Sequence, residues 1–341
     1  MPNLTSVHSW VAERKGQFRF AAQLNAGDHP EPGKALVEAA KGIEALGFDG
    51  VFLGDHPVWT PDVYLHLAAM AMVTERISLG PIVAAAAYRN PVVSARLVSD
   101  LDHLSNGRAV NGLGIGWNAS EWEMGRNEFE MLGIPYPSTK VRQDQLEEYI
   151  AIMRGVWHAQ PFSFAGEHFR IADAYVAPPV QRPEPPLLIA GGGKRTLGQA
   201  ARFADMVNFG PGPAGGTAGP ELAAERIALL REQCDAVGRD PDHILTSTFE
   251  HWLVVAPDQA ALDRKIAKYF PNGVDGFWGS GLVAKTVDGA IDYYQGFIDA
   301  GIDYFVFQSL DIFDRETLEL VKHEVEPALQ RRNFRGEDRS R

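Results

Sequence analysis

The chain has 341 residues, one cysteine, 45% hydrophobic and 22% charged residues, and a formal net charge of −12. A lone Cys234 rules out an internal disulfide framework and points to a reducing, cytoplasmic setting, and the acidic balance argues against a nucleic-acid-binding face. No run approaches the roughly 18 apolar residues of a membrane span, and Met1 to Gln17 lacks the apolar centre of a signal peptide. Residues 1–17 read as an N-terminal extension. The pattern then predicts a strand over Phe18–Leu24 and a helix over Lys34–Leu46, with Leu36, Ala40, Ile43 and Leu46 at helical spacing and Gly47 as its stop. Strand Gly50–Leu53 precedes helix Asp62–Met72. Strand Ile77–Val83 precedes helix Pro91–His103, whose proline suits a first turn. Strand Arg108–Gly114 precedes a helix from about Lys140 to Trp157. Leu187–Ala190 runs into helix Lys194–Phe203, Asp205–Phe209 precedes Leu222–Val237, and Leu245–Val255 precedes Val287–Ala300. Tyr304–Phe307 precedes the last helix, Arg315–Leu329, and a charged tail, 331–341, reads as frayed.

Near-continuous apolar strands alternating with amphipathic helices require a parallel sheet covered on both faces. Eight such units close best into a (β/α)8 TIM barrel forming one domain over 18–330. The alternative, a doubly wound open sheet, normally needs fewer units and a phosphate fingerprint after its first strand, which is absent. Three segments read as insertions, after the fourth and fifth strands and around the seventh: Trp117–Pro137, Pro161–Pro186 with a hairpin around Phe162–Ile171, and Ala260–Gly281. They fall where barrel active sites and lids are built.

The histidines form no His-x-His or His-Glu-x-x-His pair, so no catalytic metal is expected. Gly-x-Ser-x-Gly is missing. Gly112-Leu113-Gly114-Ile115-Gly116-Trp117 starts like a dinucleotide fingerprint but has Trp117 in place of the last glycine, and Gly191-Gly192-Gly193-Lys194-Arg195-Thr196 fails as a phosphate loop because Arg195 stands where Ser or Thr should. The remaining signals lie at strand C-termini, which converge in a barrel. Asp55, His56 and Trp59 follow the second strand and could bind or protonate a planar ligand; the plainer reading makes Asp55 a turn cap and Trp59 loop packing. Gly191, Gly192 and Gly193 open a helix bearing Lys194 and Arg195, which suits an anion at a helix N-terminus or a simple tight turn. Gly112, Gly114 and Gly116 strip the fourth strand end, as a flat ring would require, and Ile82-Val83-Ala84-Ala85 offers a small apolar face that core packing explains equally well. The shared theme is an apolar shelf beside an anion cradle, suited to a phosphorylated planar cofactor.

At these residues the chain resembles the luciferase-like monooxygenase superfamily of flavin- and deazaflavin-dependent oxidoreductases, over roughly Phe18 to Leu329. The resemblance rests on Ser105-Asn106-Gly107-Arg108 leading to Gly112–Trp117 with Glu121, on Pro185 to Gly193 followed by Ala201-Arg202-Phe203-Ala204-Asp205, and on Gly54-Asp55-His56 and Arg76-Ile77-Ser78-Leu79-Gly80. It implies a homodimeric barrel holding a flavin-type ring at its C-terminal mouth, with a separate reductase as a source of reduced cofactor. It also implies a non-proline cis peptide behind the ring at Ile82-Val83, His56 at the reactive face, and the backbone of Ala190, Gly191, Gly192 and Gly193 on the phosphate-bearing tail. Asp55, Gly114, Ile115, Gly116, Arg142 and Lys194 complete the expected cofactor contacts, with Lys194, Arg195 and Arg142 as local cations. Trp59, Trp117, Glu121, Phe277 and Trp278 are expected around the substrate, Glu121 as an orienting partner of His56 or a surface residue and Phe277-Trp278 as a lid. Flavin-mononucleotide members often carry His-x-x-Arg-Tyr entering helix four; here Thr139-Lys140-Val141-Arg142-Gln143 keeps only the arginine. That departure favours coenzyme F420 and hydride transfer over reduced FMN and oxygenation, although Trp117 stands where the sugar-phosphate dehydrogenase of the F420 branch has a glutamate. A non-catalytic flavin-binding barrel and a cofactor-free isomerase or lyase using Asp55 and His56 are the remaining readings.

Overall fold

Every strand of the barrel is buried nearly end to end, because each is covered by side chains from within and by helices from without. The computed structural model describes residues 6–27, 29–58, 60–117, 128–210, 218–274 and 276–337. The strands are β1 (Arg19–Leu24), β2 (Gly50–Leu53), β3 (Ser78–Pro81) resuming as β4 (Ala84–Ala85), β5 (Asn111–Gly114), an outlying hairpin of β6 (Phe162–Ala165) and β7 (Arg170–Ala174), β8 (Leu187–Ala190), β9 (Met206–Asn208), β10 (Leu245–Ala256), β11 (Val283–Thr286) and β12 (Tyr304–Ser309). Parallel pairing runs β3-β2-β1-β12-β10-β9-β8-β5-β4. Since β3 and β4 are two halves of the third strand, this order is a ring. Leu79 closes it by pairing with Ala109, its amide donating to Arg108 O and its carbonyl accepting from Val110. Eight parallel strands therefore form the expected barrel.

Alternation within each strand divides the apolar side chains between two cores. Ala21, Phe52, Val110, Leu188, Met206, Leu245, Tyr304 and Val306 fill the barrel interior. Their neighbours Phe20, Ala22, Val51, Leu53, Leu79, Phe305 and Phe307 face the surrounding helices. Those helices are α1 (Ser9–Ala12), α2 (Pro32–Leu46), α3 (Val63–Ala71), α4 (Pro91–Leu104), α5 (Thr139–His158), α6 (Lys194–Phe203), α7 (Pro220–Val237), α8 (Gln259–Tyr269), α9 (Gly276–Gly281), α10 (Val287–Ala300), α11 (Arg315–Leu320) and α12 (Glu326–Glu337). Their ends carry ordinary signals: the side chains of Asn90, Ser138 and Thr286 cap α4, α5 and α10, and Gly47 stops α2 in the left-handed region. Cys234 is buried in α7, where desolvation raises its thiol pKa, so it packs and does not act as a nucleophile. Among the described residues no helix is long and apolar enough to cross a membrane.

Three elements differ from the sequence expectation. The segment before β1 is no appendage: Trp10 of α1 is buried inside the base of the barrel, its indole donating to Ser78 Oγ at 3.0 Å and its ring 6.0 Å from that of Tyr304. Arg14 stacks on Trp10 and pairs with Asp49 at 2.7 Å. The segment read as an insertion over Ala260–Gly281 holds α8 and α9 and leads into β11, which pairs in parallel with the far end of β10. The last helix passes Leu329 and runs to Glu337 through a widened π turn at Val321–Val325. That turn stands just before Pro327, which has no N–H to continue the ordinary ladder. The expected hairpin is present, and the Glu148 carboxylate of α5 docks its turn by accepting from the amides of Glu167, His168 and Phe169 at 2.7, 3.0 and 3.0 Å.

Candidate functional site

The C-terminal ends of the strands open to one side of the barrel, and the third strand supplies a shelf there. The Ile82-Val83 peptide is cis, with Ile82 N donating to Leu53 O at 2.8 Å and Ile82 O accepting from Gln23 Nε2 at 3.3 Å. The glycines of β5 serve this shelf first. A Cβ on Gly112 would stand 2.0 Å from Pro81 O, and one on Gly114 would stand 2.6 Å from Val83 Cγ2. Part of the clearance expected for a ring is thus taken up by the close approach of the neighbouring strand.

His56 follows β2 at the rim, its side chain 29% exposed. Its Nδ1 lies 2.9 Å from Oε1 of Glu128, a fully buried carboxylate whose Oε2 accepts from the Tyr88 hydroxyl at 2.5 Å. Nε2 lies over Gly54, 3.8 Å from where a Cβ would be, beside the Gln23 amide. The Trp117 ring leans on the imidazole at 4.8 Å between centroids. A second histidine, His251, comes from a bulge in β10, where the register shifts between Glu250 and Leu253 and Trp252 has φ 41°. Burial first, then the neighbouring His56, pulls the His251 pKa down to about 4, against a hydrogen bond with Gln308 that raises it, so this ring is neutral at physiological pH. The sequence reading missed His251 because no glycine interrupts the Leu245–Val255 run to announce the bulge.

On the opposite rim, β8 ends at Gly191-Gly192-Gly193. Gly191 N donates to Asn208 O, and Gly191 takes φ 133°, open to few residues besides glycine. Gly193 caps α6 without a side-chain bond, and a Cβ on it would meet nothing within 4 Å. The first turn of α6 therefore offers backbone N–H groups to an open cradle, the arrangement a phosphate requires. Arg226 of α7 lies against this turn: its Nε is 2.3 Å from a Cβ built on Gly192, and its Nη1 donates to Phe209 O at 2.6 Å. Among the described residues no carboxylate pairs with it. A helix-borne arginine 33 residues from the glycines leaves no local sequence signal.

The structure thus gathers His56, Trp117, Ile82, Val83, Gly114, Ile115, Gly116 and the Ala190–Gly193 turn at one end of the barrel. It places several expected residues elsewhere. Asp55 is a buried clamp, both oxygens held by Arg89 at 2.5 and 2.9 Å and Oδ2 also accepting from Ala85 N, so it fixes the rim and has no oxygen turned to a ligand. Arg142, a buried member of α5, donates to the carbonyls of Ile115, Gly116 and Trp117 at 3.1, 2.9 and 2.8 Å and shapes the loop after β5 in place of binding an anion. Lys194 and Arg195 turn to an outer groove, paired with Glu232 and Asp144. The backbone and Arg226 take the place of those cations at the cradle. Trp59 and Glu121 lie outside the described residues, and Phe277 and Trp278 fall in α9 with only their backbone described.

A sequence model of the family described as luciferase-like monooxygenase matches residues 15–340. An F420-dependent glucose-6-phosphate dehydrogenase from Intrasporangium calvum is 34% identical over 182 residues, half of this chain and 52% of that protein. The one from Amycolatopsis mediterranei is 27% identical over 326 residues, 86% of this chain and 94% of that protein. In fold the chain is similar to the coenzyme F420-dependent tetrahydromethanopterin reductase of Methanopyrus kandleri, with a TM-score of 0.76 and 20% identity over 92% of this chain and 99% of that one.

Proposed function

Because the chain belongs to the luciferase-like monooxygenase family, we propose that it is an oxidoreductase that binds coenzyme F420 at the barrel mouth and moves hydride between it and a small organic substrate. The observation that carries this reading is the setting of His56: a rim imidazole anchored through Nδ1 and leaning on Trp117, across the mouth from an open glycine cradle. The alignment with a dehydrogenase of that coenzyme over 94% of its length supports the choice of cofactor. The deazaflavin, when bound, supplies the hydride acceptor or donor. Gly193 and the first amides of α6, with Arg226, would hold its phosphate-bearing tail, and the Ile82-Val83 shelf would back the ring. With a carbinol substrate, His56 would accept the hydroxyl proton, while the bound deazaflavin would supply the acceptor for the hydride that leaves carbon as the carbonyl forms. Trp117 walls the substrate side and favours an apolar or ring-bearing molecule. A cytoplasmic location and a homodimer belong to the same proposal, the dimer supported by the exposed Leu65 of α3, Met72 at its C-cap and Val93 of α4.

Spectral titration with oxidised F420 and, in parallel, FMN tests the reading. F420 is expected to bind at least about tenfold more tightly, a difference of about 1.4 kcal/mol. Tight binding of FMN alone would transfer the site to reduced-flavin oxygenation, and binding of neither ring would remove the redox reading altogether.

A further inference from the structure

Glu128 and Tyr88 stand outside every residue set assigned above to cofactor or substrate, yet they form a polar chain that ends on His56. Glu128 is fully buried, and a buried carboxyl is stable only when its oxygens are satisfied. Tyr88 satisfies Oε2 at 2.5 Å as a donor. Its phenol is held protonated, first by desolvation and then by this hydrogen bond, so it has a proton to give. The other oxygen, Oε1, meets His56 Nδ1 at 2.9 Å. A carboxylate accepts and does not donate, whereas a neutral imidazole carries its single N–H on one nitrogen or the other. We propose that Glu128, itself oriented by Tyr88, is a positioning residue that fixes His56 as the Nδ1–H tautomer and so turns the lone pair of Nε2 toward the barrel mouth.

The consequence for the reaction is directional. With no proton on Nε2, His56 enters the cycle as a proton acceptor, which matches a substrate that arrives carrying a hydroxyl proton and is oxidised. This part deepens the reading of His56 given above, while the tautomer itself depends on no cofactor. The backbone supports the same orientation, since His56 N donates to Thr60 Oγ1 at 3.0 Å and the Thr60 hydroxyl donates back to His56 O at 2.9 Å. The ring is thus held at its root and at Nδ1.

Nitrogen NMR of the full-length protein labelled at histidine, with no cofactor added and the His56 signals assigned by loss in His56→Asn, reads the tautomer directly. The expected result is an Nδ1–H pattern in the wild type, retained in Tyr88→Phe and lost in Glu128→Gln, whose amide can donate to Nδ1 in place of accepting from it. Turnover of Glu128→Gln is expected to fall about 100-fold, the scale of a lost acid–base contribution, with F420 affinity unchanged. An Nε2–H pattern in the wild type overturns the proposal whatever the variants do, and so does an unchanged tautomer in a folded Glu128→Gln. Failure to bind F420 would leave the NMR result standing, so the two readings fail separately.

Discussion

In β10, Glu250 is wholly buried close to Tyr293 and Tyr294 of α10, with one oxygen accepting from the Thr248 hydroxyl. Desolvation pushes its pKa up to about 8 from an ordinary value near 4.5. Between those values the unfolded chain has lost the proton that the folded chain keeps, so the native state holds more protons and stability falls as pH rises from about 4.5 to about 8. Glu250→Gln keeps the shape and removes the titration. Its stability in urea should exceed the wild type's at pH 8 by more than it does at pH 5; equal differences at the two pH values would contradict the buried acid. The contrast with His56 shows what sequence can deliver at this scale. A histidine just past a strand end is legible because the barrel geometry sends strand ends to the mouth. The partner that holds it, Glu128, is 72 residues away in a stretch with no period, and the sequence pointed only to Glu121 as a candidate for that role.

At the scale of elements, the cradle and the bulge make opposite demands on backbone. Gly193 has φ −77° and ψ 151°, which alanine adopts without strain, and its missing Cβ faces open space. Gly193→Ala should therefore leave the thermal midpoint unchanged while weakening F420 binding at least about tenfold, the loss of roughly one charge-assisted hydrogen bond. Unchanged affinity would show that the α6 amides are not the anchor. Helix ends marked by proline or glycine were readable, and so was β8 running into α6. The run Asn272–Gly279, dense in glycine and aromatics, drew attention from α8 before it and β11 after it. Both are short and fall outside an eightfold repeat whose places were already filled. Arg142 shows a further limit: composition identifies a cation, but only packing reveals that three carbonyls after β5 occupy it.

For the whole molecule, the alternation of strands and helices was sufficient to specify the barrel, because parallel strands buried on both faces have few other ways to close. Its base was not legible. Trp10 is a lone aromatic in a polar stretch, and its partners lie at Ser78 and Tyr304. Trp10→Ala should cost about 3–5 kcal/mol through the cavity and the lost indole bond, measured as a lower denaturation midpoint, with the mouth and its cofactor affinity preserved in the folded fraction. A change below 1 kcal/mol, on the scale of an exposed site, would mean that the plug is dispensable.

The same plug orders events during synthesis. Trp10 leaves the ribosome well before Tyr304, Asp303 (which pairs with Lys15 at 2.8 Å) and Gln330 (which donates to Gln17 O). The N-terminal segment must therefore wait, unseated and with its indole in water, until the eighth strand emerges. The base is sealed jointly by α1 and β12, so a nascent chain halted before β12 has no closed base and a ready site for a chaperone.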